Sequence, residues 1–243
     1  MTARERFERS FINRKRAFII AIHVTPDKEA WAADIEVARD EGADGIIVIR
    51  DYRTLVTDED VLVAYDYARD RYPRWWIGVN LLQHTPQDAV FRIKHTTSGI
   101  WFDNVRIDEG MPFGNAYLSM VRAKSDALHP PTPPLFLPSI AMKYQEPVKN
   151  LAGVAKLAEP FADVIITSGD ATGVPADFEK VKTLRAATDS PIGLASGISS
   201  DNVAQFIELG VDVFIVNTSI TDPDTNLLDW EKVNILRRKI PRK

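Results

Sequence analysis

The chain lacks cysteine altogether and has few histidines, and both shortages limit its chemistry. None of its 243 residues is a cysteine, which excludes a disulfide, a thiolate nucleophile and a zinc–thiolate site. The four histidines are scattered along the sequence and give no pattern of metal ligands. We therefore predict no metal site, and the sequence identifies no cofactor.

Long apolar runs and an excess of positive charge are also missing. No apolar run approaches the ~20 residues of a membrane-spanning helix, and no apolar core of a signal peptide follows the basic residues 1–16. The net charge of -4 gives no general attraction to nucleic acid or to anionic lipid. We expect a cytoplasmic protein with no nucleic-acid partner and no membrane span, and the sequence leaves a homo-oligomer open.

The basic segment 1–16 itself has two interpretations. It contains six basic residues against two acidic ones, which fits either a basic arm for a partner or a solvated helix that leads into the first strand. We favour the solvated helix.

Hydrophobic patterning predicts an alternation of strands and helices. Short β-rich apolar runs occupy residues 17–24, 44–49, 75–82, 100–105, 135–140, 163–167, 192–195 and 213–216. Helix-period stretches follow them at 28–41, 58–71, 86–94, 114–128, 147–158, 176–187, 200–209 and 229–239. Strand then helix, eight times, is typical of a (β/α)8 TIM barrel. An open doubly wound sheet uses the same alternation but usually needs fewer strands, so we predict one TIM-barrel domain over residues 1–243 with a short N-terminal helical lead-in.

Several junctions from helix to strand share a small turn that carries an aspartate. The turns end in Asp44, Asp163 and Asp212, each directly before a predicted buried strand. Aspartate can hydrogen-bond nearby backbone, and glycine can end the preceding helix in a left-handed conformation. These junctions belong to the N-terminal end of the barrel and predict stability rather than chemistry.

Small polar residues follow the last two predicted strands and suggest an anion site. In a barrel, function gathers where the loops after the strands converge, and a phosphate often lies between the loops after strands seven and eight. Ser196 and Gly197 follow strand seven, and Thr218 and Ser219 follow strand eight. Hydroxyls, backbone N–H groups and a helix that starts near residue 199 or 200 can bind the phosphate there.

Candidate catalytic residues come from other strand ends. Lys143 can serve as a general base, a Schiff-base amine or a charge clamp. His23 can transfer protons near neutral pH or act as a structural donor. Asp103 and Asp170 can serve as acid and base or bind Mg²⁺. Candidate substrate-binding residues share polar side chains at the same end of the barrel: Asn80, Arg106, Ser168 and Thr172.

The C-terminal half resembles a known family. Residues 162–173, 195–202 and 214–220, closed by residues 226–229, are similar to the strand-six, strand-seven and strand-eight motifs of the BtpA family, with the resemblance strongest over residues 160–230. Residues 42–48, 78–81 and the Met142-Lys143 pair agree more loosely. The resemblance implies a barrel similar to phosphate-binding barrels and a family role in photosystem I biogenesis, while leaving the biochemical activity undefined.

The chain departs from the family pattern at three places. Asn217 stands where the family commonly has glycine, Ile49 and Arg50 stand where it has an acidic residue and asparagine, and Tyr144 follows the strand-five lysine where it has histidine. Two functions follow as expectations. One is an enzyme, an isomerase or lyase acting on a phosphorylated small metabolite such as a sugar phosphate or a nucleotide-like compound. The other is a non-catalytic accessory protein for the assembly of a complex.

Overall fold

Eight parallel strands form the centre of the molecule. The structure is a computed structural model, and it describes residues 1–241 except Asn104, Arg106, residues 111–113 and the side chains of residues 114 and 115. The strands are β1 Ala17–Val24, β2 Gly45–Arg50, β3 Trp76–Asn80, β4 Gly99–Phe102, β5 Leu135–Pro138, β6 Ile165–Thr167, β7 Ile192–Ala195 and β8 Val213–Val216. Every predicted strand is present, although β4 and β5 end before their predicted limits.

Helices alternate with these strands along the chain. The helices are α1 Ala3–Ser10, α2 Lys28–Asp40, α3 Asp58–Arg71, α4 Pro86–Arg92, α5 Gly114–Leu128, α6 Leu151–Ala158, α7 Phe178–Ala187, α8 Val203–Glu208 and α9 Trp230–Lys239, and a 3-10 helix spans Thr218–Ile220. No helix in the described part of the chain is long and apolar enough to cross a membrane.

The sheet closes on itself. Its strand order is β5-β4-β3-β2-β1-β8-β7-β6, with β1 parallel to both β2 and β8. The two outer strands of this order meet through a parallel bridge between Ser139 and Ile166, where the Ile140 N–H donates to the Ile166 carbonyl over 2.8 Å. This is the α/β TIM barrel that the alternation predicted.

Two apolar layers follow from the period of two along each strand. Alternate residues such as Ile20 and Val48 pack outward against the helices, and their neighbours such as Ile19 and Ile47 fill the barrel. The Trp76 side chain lies inside the barrel and fits there because Gly99 has no side chain. A Cβ atom at Gly99 would lie only 2.5 Å from Trp76 Cζ2. The interior is therefore a packed core, and space for a ligand remains only toward its ends.

The N-terminal segment packs across the floor of the barrel, so the expectation of a solvated helix is not what the structure shows. Phe7 and Phe11 are buried, and the Phe11 ring lies 5.2 Å from the Trp76 ring. The recurrent aspartates explain the basic residues. Arg4 pairs with Asp212, Arg6 with Asp163 over 2.9 Å and Arg14 with Asp44 over 2.6 Å.

The same three aspartates also join neighbouring strands. Each accepts the backbone N–H of a residue at or next to the start of the preceding strand: Phe18 donates to Asp44, Phe136 to Asp163 and Ile192 to Asp212. Each carboxylate accepts a hydrogen bond from a strand N–H and pairs with an arginine. Both the buried N–H and the buried carboxylate therefore have a polar partner. The Asp-bearing turns are thus the points where the N-terminal segment is fastened to the barrel.

Helix α8 begins later than the predicted residue 199 or 200. It starts at Val203, because Asn202 turns the preceding segment back on itself. The Asn202 side chain accepts the Ser199 N–H over 2.9 Å and donates to the Gly197 carbonyl over 2.7 Å. Residues 197–202 consequently form a turn before a helix of only six residues, and the contribution of a helix dipole to anion binding is correspondingly small.

Candidate functional site

A cavity of about 650 Å³ opens at the C-terminal ends of the strands. The bottom of this cavity is made of side chains from the barrel interior, among them Trp101 and Ile215. The predicted site residues that line it are His23, Asp103, Lys143, Thr172, Ser196, Gly197, Thr218 and Ser219. The structure thus brings the candidate catalytic and candidate phosphate-binding groups to a single cavity.

Lys143 is held by the loop that follows β6. Its backbone N–H donates to the Ser168 hydroxyl over 3.0 Å, and its Nζ donates to the Thr172 hydroxyl over 2.9 Å. Ser168 is fully buried and also donates to the Gly169 carbonyl. Ser168 therefore positions the lysine from below and does not line the cavity, whereas Thr172 does.

Asp103 is oriented by a buried amide. The Asn80 side chain, which is 1% exposed, donates to Asp103 Oδ1 over 2.9 Å. Asn80 does not line the cavity. The structure places it behind Asp103, as a positioning group rather than as a direct contact for a ligand.

Burial shifts the acid–base chemistry of the cavity. It lowers the pKa of His23, and the nearby charges of Arg53 and Lys143 lower it further against the opposing effect of Asp51. Burial raises the pKa of Asp103, against the hydrogen bond from Asn80 and the charge of Lys143. His23 is therefore a neutral proton acceptor at pH 7, and Asp103 keeps its proton to a higher pH than an exposed aspartate does.

The loop after β7 has a strained conformation. Ser196 has φ of 79° and Gly197 has φ of 69°, and a left-handed non-glycine residue is uncommon outside turns and sites. The Ser196 hydroxyl accepts the Gly173 N–H over 2.9 Å. A Cβ at Gly197 would lie 2.2 Å from the Pro175 nitrogen, so the close approach that requires glycine here is made by the neighbouring loop.

The loop after β8 presents backbone donors. The N–H groups of Thr218 and Ser219, like that of Gly197, donate to no acceptor among the residues that the structure describes. The Ser219 hydroxyl donates to the Ile198 carbonyl, which ties the two loops together. Asn217 has φ of -147°, outside the region that favours glycine, and its amide donates to the Ala21 carbonyl over 2.9 Å. The asparagine at this position is therefore accommodated without backbone strain.

Two predicted residues do not join this cavity. Asp170 is exposed and lies outside its lining, and its charge acts instead on Lys180. Arg106 lies outside the described residues. Among the residues described, no group of three or more histidine and acidic side chains is arranged to hold a metal ion.

Other lining residues had been given no role from the sequence. They include Arg50, Tyr52, Tyr144, Ser199, Asn202 and Asn217. Arg50 is the last residue of β2, and the end of this strand places it at the mouth from the sequence alone, although no role was assigned to it. Lys180 was also missed: its Nζ donates to the carbonyls of Ala141 and Ser168 and so joins the loops after β5 and β6.

Solved structures share this fold at low sequence identity. Mycobacterium tuberculosis tryptophan synthase matches with a TM-score of 0.68 and 17% identity over 99% of this chain and 98% of that chain. GGGPS from Thermoplasma volcanium matches with a TM-score of 0.68 and 13% identity over 99% and 98%. Phosphoribosyl anthranilate isomerase from Thermus thermophilus matches with a TM-score of 0.65 and 12% identity over 92% and 97%.

These likenesses show the fold, because unrelated functions share TM barrels. The chain matches no protein-family model, and no curated protein matches it in sequence. The resemblance to the BtpA family stays a prediction.

Proposed function

We propose that the chain binds a phosphorylated small metabolite in the mouth of the barrel and acts on it as an isomerase or lyase. The observation that carries the proposal is that Gly197, Thr218 and Ser219, whose N–H groups have no acceptor among the described residues, line the same cavity as His23, Asp103 and Lys143. Backbone N–H groups in converging loops are the usual ligands of phosphate in such barrels. Phosphoribosyl anthranilate isomerase, whose name gives a substrate that is a phosphate ester, has the same fold.

The remaining groups fit proton transfer at a carbon next to a carbonyl. On a hydroxy-aldehyde or hydroxy-ketone, neutral His23 can remove the proton from the carbon that bears the hydroxyl while Asp103, in its protonated form, donates a proton to the carbonyl oxygen, which leaves an enediol and conserves charge. His23 then returns its proton to the former carbonyl carbon while the Asp103 carboxylate takes the proton of the other hydroxyl, which completes an isomerisation and restores both residues. The Lys143 ammonium can stabilise the developing oxyanion as a charge clamp, and its role as a Schiff-base amine stays a second possibility within this proposal.

The BtpA resemblance belongs to this proposal as its finer form. The resemblance is carried by segments 162–173, 195–202 and 214–220, which include all or part of β6, β7 and β8. Each segment contributes residues to the lining of the cavity. The cytoplasmic location and the formation of a homo-oligomer also remain proposals.

The anion site is tested with Thr218→Asp. Thr218 is exposed, so a carboxylate there costs the fold little but repels a bound phosphate. Inorganic phosphate and glycerol phosphate should raise the melting temperature of the unmodified protein by roughly 5–10 °C at a hundredfold excess over Kd. Thr218→Asp should abolish this shift. Thr218→Asn should keep it, because asparagine has the shape of aspartate without its charge.

The reaction class needs a separate measurement. Sugar phosphates incubated with the protein in D2O should acquire deuterium at the carbon next to the carbonyl if His23 exchanges that proton. A protein that shows no phosphate-dependent shift at millimolar concentrations does not have the proposed site. Phosphate binding with neither exchange nor cleavage would instead favour the non-catalytic accessory protein.

A further inference from the structure

Arg50 has a side-chain nitrogen that is shielded from solvent and lacks a protein partner within the described ranges. It ends β2 and lines the mouth cavity. Its Nε is shielded from solvent and has no hydrogen-bond partner among the described residues. Of the described side chains with such an unpaired buried atom, Arg50 alone lines this cavity. An unmade hydrogen bond at a buried charged group is costly, and such groups call for an explanation.

The neighbouring acidic residue does not neutralise Arg50. The Asp51 carboxylate is taken by Arg53, which donates from Nε over 2.9 Å and from Nη2 over 2.7 Å. No salt bridge to Arg50 is found in the part of the chain described. Asp103 accepts a hydrogen bond from the Asn80 side chain. The lining of the cavity therefore contains two cations, Arg50 and Lys143, and one acidic side chain, Asp103.

The position of Arg50 separates it from the proposed phosphate site. In the sheet order, β1 lies between β2 and β8. Neighbouring strands are about 4.8 Å apart, so the ends of β2 and β8 are roughly 10 Å apart along the rim. One small phosphate cannot occupy both places, but a short organic skeleton can span them.

We infer that Arg50 binds a second anionic group of the ligand, so that the substrate class is a small metabolite with a phosphate at one end and a carboxylate or second phosphate at the other. The inference rests on the proposed function, since the first anion is the phosphate between the loops after β7 and β8. Arginine is suited to this role because its planar fork donates two parallel hydrogen bonds to a carboxylate or phosphate.

Two matched pairs of ligands test the inference in the unmodified protein. Phosphoglycerate differs from glycerol phosphate by a carboxylate on the same three-carbon skeleton, and fructose bisphosphate differs from fructose monophosphate by a second phosphate. Isothermal titration should give a Kd about tenfold or more lower for the doubly anionic member of at least one pair. The pair that shows this difference identifies the second group as carboxylate or phosphate.

Arg50→Gln should remove that tenfold advantage and change the Kd of the singly anionic member by less than about twofold. Arg74→Gln is the control, because Arg74 is exposed at the opposite end of the barrel. The melting temperature of the unliganded Arg50→Gln protein should not fall, because the substitution removes an unpaired buried donor. A merely structural Arg50 would lower it.

The outcomes separate this inference from the function on which it rests. Equal binding of both members of each pair, or an advantage that Arg50→Gln leaves intact, overturns the role of Arg50 and leaves the phosphate site standing. Loss of binding to all four ligands in Thr218→Asp, with only the advantage lost in Arg50→Gln, supports both proposals. No binding of any ligand to the unmodified protein overturns both.

Discussion

Lys143 is the residue whose surroundings most favour contact with a ligand. Its ammonium donates to one hydroxyl, that of Thr172, and lies 6.0 Å from the centre of the Tyr144 ring. Neither neighbour carries a negative charge, so the ammonium remains available to an anionic group. Ala141 and Tyr144 on either side have positive φ values of 45° and 66°, and strained backbone of this kind clusters at functional sites.

Replacing Lys143 with alanine should impair ligand binding more than folding. The side chain is partly exposed and makes a hydrogen bond to an exposed partner, so Lys143→Ala should change the melting temperature by no more than about 2 °C. The shift induced by glycerol phosphate should fall clearly below that of Lys156→Ala, an exposed control on α6. Equal shifts in the two variants would remove Lys143 from the site.

The sequence placed Lys143 at the mouth of the barrel, where the structure also has it, but it could not identify the residues that hold it. A polar residue after a strand can face the cavity, the neighbouring loop or the helices, and position alone does not distinguish these directions. Ser168 and Asn80 were predicted to bind substrate, and the structure shows them behind Lys143 and Asp103.

At the scale of elements, α2 is fixed to the loop before α9 by a buried carboxylate. Asp34 is 7% exposed, and its Oδ1 accepts the Leu228 N–H over 2.7 Å. Burial raises the pKa of Asp34 to about 6, and the hydrogen bond from Leu228 opposes this shift only in part. The folded protein therefore binds a proton at Asp34 more tightly than the unfolded chain does.

Asp34→Asn should remove a pH dependence of stability. Because the folded pKa is above the unfolded value of about 4, the contribution is complete below pH 4 and is lost as the pH rises through about 6. At pH 7 the variant, which keeps an oxygen acceptor for Leu228, should have a free energy of unfolding higher than the unmodified protein by up to about 2–3 kcal/mol. At pH 4 the difference should be small.

Urea denaturation across this pH range measures the effect. Asp40→Asn on the same helix is the control, since Asp40 is exposed and should show no pH-dependent difference. A difference between Asp34→Asn and the unmodified protein that stays constant from pH 4 to pH 7 would contradict the raised pKa.

Element order followed from the sequence more closely than element ends did. The eight alternations and the small turns between them were enough to predict closure, because buried strands and amphipathic helices have distinct periods. The start of α8 was wrong because Ser199 and Ser200 have the composition of a helix cap. Asn202 competes for the same backbone groups, and its two hydrogen bonds hold residues 197–202 in a turn.

For the molecule as a whole, the two ends of the barrel have different tasks. The C-terminal end carries the cavity and the strained loops, whereas the N-terminal end is closed by residues 3–14, whose arginines pair with Asp44, Asp163 and Asp212. The aspartates were recognised in the sequence as a recurrent feature. Their arginine partners were not, because pairs as distant as Arg4 and Asp212 are separated by 208 positions and leave no local pattern.

This division predicts that a substitution at the N-terminal end of the barrel can lower the free energy of unfolding without loss of ligand binding at the C-terminal end. Arg6→Met keeps an apolar stem but removes one of two arginines from Asp163, whose carboxylate is 3% exposed and would then depend on Arg122 alone. Its free energy of unfolding should fall by about 1–3 kcal/mol, because a buried carboxylate loses a charged partner. Arg9→Met on the exposed side of α1 should change it by less than about 0.5 kcal/mol. The Kd for glycerol phosphate should stay within about twofold in both variants, since the proposed anion site lies at the opposite end. A loss of affinity in Arg6→Met that matches its loss of stability would show that the two ends are coupled.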